Sequence, residues 1–213
     1  MPGVITVVAC SLAMGYVCGS FLTAELVSKH VSGKSAFDVG QGNPGMANMG
    51  ATYGTRWAAV TLAGDIAKTI LAFALARALF PNAADVAGTA AVAGATLGHV
   101  FPAWHRFRGG KGVATTCAGI ILVTPIAGGI AAVAGLLVVL FAGYLCLGAL
   151  AIPAVWFAIE LACGNTVHAI AGAVLVAVAL WCHAGPAAGI RTGATPRASI
   201  SEKFLSVLFG KRQ

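Results

Sequence analysis

The run Arg108-Gly109-Gly110-Lys111-Gly112-Val113-Ala114-Thr115 places one lysine among glycines at the start of an apolar stretch. Glycine lets the backbone approach a ligand closely and expose its amides. A helix N-terminus adds further N–H donors, and lysine supplies a point charge. Such a loop is suited to gripping phosphate. It is not a Walker loop, because Gly112 stands where that motif has Ser or Thr and no strand precedes it. A second segment, Gly40-Gln41-Gly42-Asn43-Pro44-Gly45-Met46-Ala47-Asn48, holds three glycines and two asparagines in nine residues. Its amides suit a concave anion site, to which Asn43 and Asn48 can add donors. A third polar segment opens at His183 and runs through Pro186, Arg191 and Gly193. A histidine at a helix end beside a basic stretch can bind phosphate or carry a proton.

Other chemistries fail on residue type. No serine occurs between Ser35 and Ser199, which excludes a serine nucleophile in the middle of the chain. No histidine is followed five positions later by aspartate, so the His-Asp pair of one large class of membrane acyltransferases is absent. The six cysteines form no CxxC pair and there is no HExxH. They read as buried thiols, with no metal site, disulfide framework or cofactor implied. Asp65 and Lys68, three apart inside an apolar stretch, are either a structural ion pair or part of the lining of a site.

The elements that must carry these residues are membrane helices. Hydrophobic residues make up 59% of the 213 and charged residues 9%, against roughly 45–50% and about 25% in soluble domains. Too few charges remain to cover a soluble surface, and disorder requires low hydrophobicity. Between 112 and 190 the only formal charge is Glu160. With about 20 apolar residues needed per crossing, spans are expected near 4–26, 57–80, 84–103, 113–127, 129–147, 149–163 and 166–183, with five spans as the alternative to seven. Pro125, Pro153 and Gly164-Asn165 are the expected breaks. Residues 1–24, ahead of the first charge Glu25, read as a first span and not a signal peptide. The expected class is therefore an all-α polytopic bundle, with residues 1–199 as one transmembrane domain and 200–213 as a basic tail suited to the membrane interface. Basic residues gather around 29–56, 106–111 and 191–212. The positive-inside rule puts these clusters in the cytoplasm, the N-terminus outside and the C-terminus inside. The net charge of +7 thus reads as orientation plus phosphate or anionic lipid, not nucleic acid. The abundant Gly and Ala read mainly as helix packing.

These residues together resemble a known family. Gly19-Ser20, Lys29, Gly33, Gly40, Gly42-Asn43, Gly45, Asn48, Gly64-Asp65 and Lys68 keep the spacing of the bacterial acyl-phosphate:glycerol-3-phosphate acyltransferases called PlsY. Gly98-His99, Phe101-Pro102 and Gly109 through Thr115 resemble that family's second motif, and His183 and Gly193 are similar to parts of its third. The resemblance, from about 15 to 195, implies a small bacterial inner-membrane enzyme with its site on the cytoplasmic side. It implies transfer of an acyl group from acyl phosphate to glycerol 3-phosphate, giving lysophosphatidic acid for phospholipid synthesis. It implies no cofactor, no metal and no acyl-enzyme, with membrane lipids and other lipid-synthesis enzymes as neighbours. Carried over by position, Lys111, His183 and Asn43 are the catalytic candidates. Gly42, Gly45, Asn48, Arg108, Gly109, Gly110, Gly112 and Thr115 are the substrate- and phosphate-binding candidates. The chain departs from the pattern at Gln41, Ala47 and Ala51, where the family's first motif has Ser, Thr and Arg. It departs again at Pro186, Gly189 and Thr195, in place of Asn, Arg and Glu in the third. These losses leave open a non-catalytic paralogue that binds lipid or a partner, or the same chemistry on another acceptor. A small channel or transporter fits less well, since few intramembrane polar groups and no internal repeat are visible.

Overall fold

A computed structural model describes residues 2–209, and Lys211 and Arg212 of the basic tail lie outside that range. The described residues contain helices and no strand. The helices are α1 (Val4–Gly19), α2 (Thr23–Ser32), α3 (Met46–Tyr53), α4 (Thr55–Leu79), α5 (Ala84–Val100), α6 (Val113–Val123), α7 (Pro125–Ala142), α8 (Leu145–Ala162), α9 (Thr166–Thr192) and α10 (Ser199–Phe209). Six stretches are long and apolar enough to cross a membrane: 4–32, 55–79, 81–105, 125–142, 145–162 and 166–192. The seventh expected span, 113–127, is the shorter apolar α6 of 11 residues. At 1.5 Å per residue such a helix reaches about half of the ~30 Å hydrocarbon core.

Several expectations shift for identifiable reasons. The first span is two helices, because the chain leaves helical geometry at Leu22 before α2 begins. Pro153 does not break the chain but lies buried inside α8. Proline removes one N–H, and within a membrane bundle neighbouring groups absorb that loss. Pro125 does mark a boundary, at the first turn of α7, where its missing N–H costs nothing. The helix expected to stop near His183 runs on through Pro186 to Thr192 and closes at Gly193, which has φ +74°. Helix α3 falls where a loop was expected.

Contacts group the chain into two compact units, Met1–Val123 and Thr124–Gln213. The first is organised on α5, whose residues Ala87 to Thr96 are all buried. Helix α1 lies against α5 with almost no side chain between them. A Cβ added at Gly15 or Gly19 would collide with the backbone of Ala91 or Ala95. One added at Gly94 or Gly98 would collide with the carbonyl of Leu12 or Tyr16. Small residues four apart on both helices permit this approach, the membrane counterpart of a packed core. Helices α4 and α6 complete the unit around α5.

In the second unit α8 packs between α7 and α9. A polar cluster ties one end. The buried Trp156 donates to Thr124 Oγ1 at 2.7 Å, and Glu160 accepts from Asn165 at 2.7 Å and lies 3.0 Å from His168 Nδ1. Helix α10 returns to α7, where Ser201 donates to the Leu140 carbonyl at 2.8 Å.

Candidate active site

Two loops of the first unit carry most of the chemistry anticipated from sequence. The loop between α2 and α3 is shaped from within. Glu25 Oε2 accepts from the Ser35 hydroxyl at 2.9 Å and the Ala36 amide at 2.8 Å, while Oε1 lies 3.1 Å from Lys29 Nζ. The buried Asn48 accepts from the Gln41 amide at 2.8 Å through Oδ1 and donates to the Val39 carbonyl at 3.0 Å through Nδ2. Its amide therefore braces the loop and is not free to bind substrate. Gly40 (φ +57°) and Gly42 (φ +65°) supply left-handed backbone at the turn, and a Cβ on Gly40 would strike Asn48 Oδ1. Asn43 differs from Asn48: among the described residues its side-chain amide has no hydrogen-bond partner. The amides of Asn43, Met46 and Ala47 also find no protein acceptor among them. Gly45 stands at the N-cap of α3.

The loop between α5 and α6 is pinned at its start. Tyr16 donates to the Phe101 carbonyl at 2.6 Å and Trp104 Nε1 to the Ser20 carbonyl at 3.0 Å. Arg106 (φ 55°) and Phe107 (φ 57°) take left-handed backbone and turn the chain back. The Gly110 amide then donates to the His99 carbonyl at 3.0 Å. A side chain at Gly109 would collide with that carbonyl, and one at Gly110 with the His99 ring. Gly112 (φ +74°) immediately precedes α6, and the buried Thr115 donates from its hydroxyl to the Gly112 carbonyl at 2.9 Å. Thr115 thus shapes the helix entry. What remains open is the donor set. The amides of Gly109 and of Lys111 through Thr115 find no protein acceptor among the described residues. The half-buried Lys111 makes no ion pair there. Arg108 is exposed. The loops touch where Phe37 meets His105, with ring centroids 5.6 Å apart.

Beneath the second loop lies a charged cluster that the sequence showed only in part. Lys68 Nζ is 2.8 Å from Asp65 Oδ1, 2.8 Å from the Phe21 carbonyl and 2.7 Å from His99 Nδ1. All three side chains are buried. The i, i+3 spacing of Asp65 and Lys68 announced the pair, but nothing in the spacing announced His99, 31 residues later.

His183 is buried in α9, in the second unit. Past it, Thr195 folds back, donating from its hydroxyl to the Pro186 carbonyl at 2.6 Å and from its amide to Gly189 at 3.2 Å. Two of the departing motif positions, Pro186 and Thr195, are therefore joined to each other. Ala47 and Ala51 are exposed on α3. Gln41 contributes its backbone to the Asn48 brace. Arg56 stacks on Trp57, 5.3 Å from the ring centroid.

Comparison with known proteins decides what this arrangement is a version of. The family model described as glycerol-3-phosphate acyltransferase matches residues 9–193. The chain belongs to that family. It is 41% identical over 184 residues to a Ralstonia pickettii protein named glycerol-3-phosphate acyltransferase, covering 84% of this chain and 87% of that one. It is also 41% identical to glycerol-3-phosphate acyltransferase 1 of Lactobacillus johnsonii over 131 residues, 61% of this chain but only 63% of the relative's length. The fold resembles the crystal structure of PlsY, an integral membrane glycerol 3-phosphate acyltransferase, in its glycerol 3-phosphate form. The TM-score is 0.78 at 22% identity, over 97% of this chain and 98% of that one. The chain is accordingly an all-α membrane protein of the glycerol-3-phosphate acyltransferase family with the fold of PlsY.

Proposed function

We propose that the protein transfers an acyl group from acyl phosphate to glycerol 3-phosphate, releasing inorganic phosphate and lysophosphatidic acid, with residues 1–199 acting as one acyltransferase domain. Family membership supports the acyl transfer. The observation that carries the phosphate chemistry is the Gly109–Thr115 turn, where, among the described residues, every amide but that of Gly110 lacks a protein acceptor and Lys111 makes no ion pair. Acyl phosphate suits this donor set, because its leaving group is the anion such a turn stabilises.

The primary hydroxyl of glycerol 3-phosphate attacks the acyl carbonyl carbon. A new C–O bond forms, and the bond from that carbon to the phosphate oxygen breaks. Lys111 and the amides of Gly109, Lys111 and Gly112 take up charge on the departing phosphate, which can also accept the hydroxyl proton. Asn43 and the amides of Asn43, Met46 and Ala47 serve the other anionic group. Gly42 and Gly45 keep that backbone accessible, Gly110 and Thr115 hold the second turn in shape, and Arg108 adds long-range attraction. His183 enters from its motif alone, as a phosphate contact or proton acceptor. The transfer is direct, since no serine lies between Ser35 and Ser199 and the Ser35 hydroxyl is committed to Glu25. The distribution of basic residues supports a position for both loops at the cytoplasmic face of the bacterial inner membrane, with the N-terminus outside.

Expression in a bacterial strain whose own acyl-phosphate acyltransferase can be switched off tests this reading. Growth without that enzyme supports it; failure to grow despite membrane-inserted protein would sink it.

A further inference from the structure

Lys68 fixes the tautomer of His99. An ammonium has three N–H donors and no acceptor. Asp65 Oδ1, the Phe21 carbonyl and His99 Nδ1 lie 2.8, 2.8 and 2.7 Å from Nζ. Asp65 is the ion-pair partner, and because an ammonium can only donate, His99 Nδ1 must be the unprotonated nitrogen in its contact with Lys68. The Nδ1–Asp65 distance of 3.6 Å is too long for a competing hydrogen bond. The ring proton is left on Nε2. That atom is directed at Gly110, where any Cβ would collide with it. Among the described residues Nε2 has no hydrogen-bond partner, although the side chain is only 4% exposed. Nε2 is not sealed off by protein atoms although the ring is buried, and it adjoins the turn whose amides also lack acceptors among the described residues.

We infer that His99 is a further phosphate-binding residue: its Nε2–H donates to an anionic oxygen held at the Gly109–Lys111 turn, with Lys68 and Asp65 as positioning residues that hold it in the donating tautomer. This rests on the acyltransferase reading only in taking that oxygen to be the acyl phosphate's. The cluster also explains why charge is spent inside the membrane-spanning part of the chain. Lys68 and Asp65 neutralise each other, and the product of their pairing is a neutral, directional donor.

Histidine-selective 15N NMR of the whole protein in detergent micelles tests the inference directly, with the His99 signal identified by its loss in His99→Gln. The expected spectrum shows an Nε2–H tautomer whose Nε2 resonance shifts on titration with inorganic phosphate, and no shift in Lys111→Ala. An Nδ1–H tautomer, or no response to phosphate in the unmodified protein, overturns it. Kinetics give a second arm. Gln places its amide near Nε2, whereas Asn places it near Nδ1. His99→Gln should keep the KM for acyl phosphate within about threefold, and His99→Asn should raise it about tenfold or more, the scale of a hydrogen bond to a charged group. Asn equal to or better than Gln, at matched melting temperature, would assign His99 a purely structural part. If the unmodified protein transfers no acyl group yet the phosphate-dependent shift is present, the donor stands and the acyltransferase reading falls.

Discussion

At the residue scale, the two asparagines of the first loop look alike in sequence and do different work. Asn48 has its oxygen and nitrogen committed to Gln41 and Val39, whereas Asn43 has its amide open. Asn48→Ala removes the side-chain partner of the part-buried Gln41 amide and Val39 carbonyl, at about 0.5–1.5 kcal/mol per hydrogen bond. The expected outcome is a clear fall in melting temperature in detergent, with activity lost through the loop. Asn43→Ala should leave the melting temperature unchanged and lower only kcat/KM. Equal destabilisation by both would contradict this division. Gly110→Ala sets a methyl against the His99 ring and should reduce acyl transfer more than Arg108→Ala, since Arg108 is exposed. Parallel assays of the two variants decide the order. Spacing could nominate these residues, but it could not separate an asparagine that builds the loop from one that serves it. That distinction depends on which backbone groups the folded loop leaves for each amide.

At the element scale, α1 and α5 depend on close backbone approach at Gly15, Gly19, Gly94 and Gly98. Gly19→Val must either push the helices apart or abandon helical geometry, and the loop that Tyr16 and Trp104 pin to α1 would shift with it. Loss of folded protein on size-exclusion chromatography in detergent is expected, while Gly129→Val, which has open space around its Cα, should be neutral. The small residues were visible in the sequence as packing residues. Their pairing across helices was not, because a Gly/Ala stretch has no size pattern to reveal its partner. Pro153 misled for a related reason: proline marks a break only where nothing else supports the helix, and Pro153 lies within α8 here. Helix α3 was hidden by the glycines and asparagines around it, which read as loop.

At the scale of the whole molecule, charge scarcity made both the class and the site legible. With 9% charged residues, each buried ionisable group invites an explanation, and Asp65, Lys68 and Glu25 prove to lie under or beside the two loops. The expected orientation can be read by labelling single cysteines placed at the exposed residues 2 and 199 in a background without native cysteines. An impermeant reagent added to intact cells should modify the first and not the second. The reverse pattern would put the basic loops on the wrong side for substrates made inside the cell. The departures at Gln41, Ala47, Ala51 and Pro186 bear on catalytic strength and on acceptor choice, and both are read in one assay. Purified protein in detergent is given palmitoyl phosphate with labelled glycerol 3-phosphate, alongside glycerol as the unphosphorylated acceptor, and compared with Lys111→Ala. The account predicts labelled lysophosphatidic acid from the unmodified protein, little product from glycerol, and a fall in kcat/KM of about a hundredfold or more in the variant. Absence of product from folded protein, or an unchanged rate in Lys111→Ala, would contradict it.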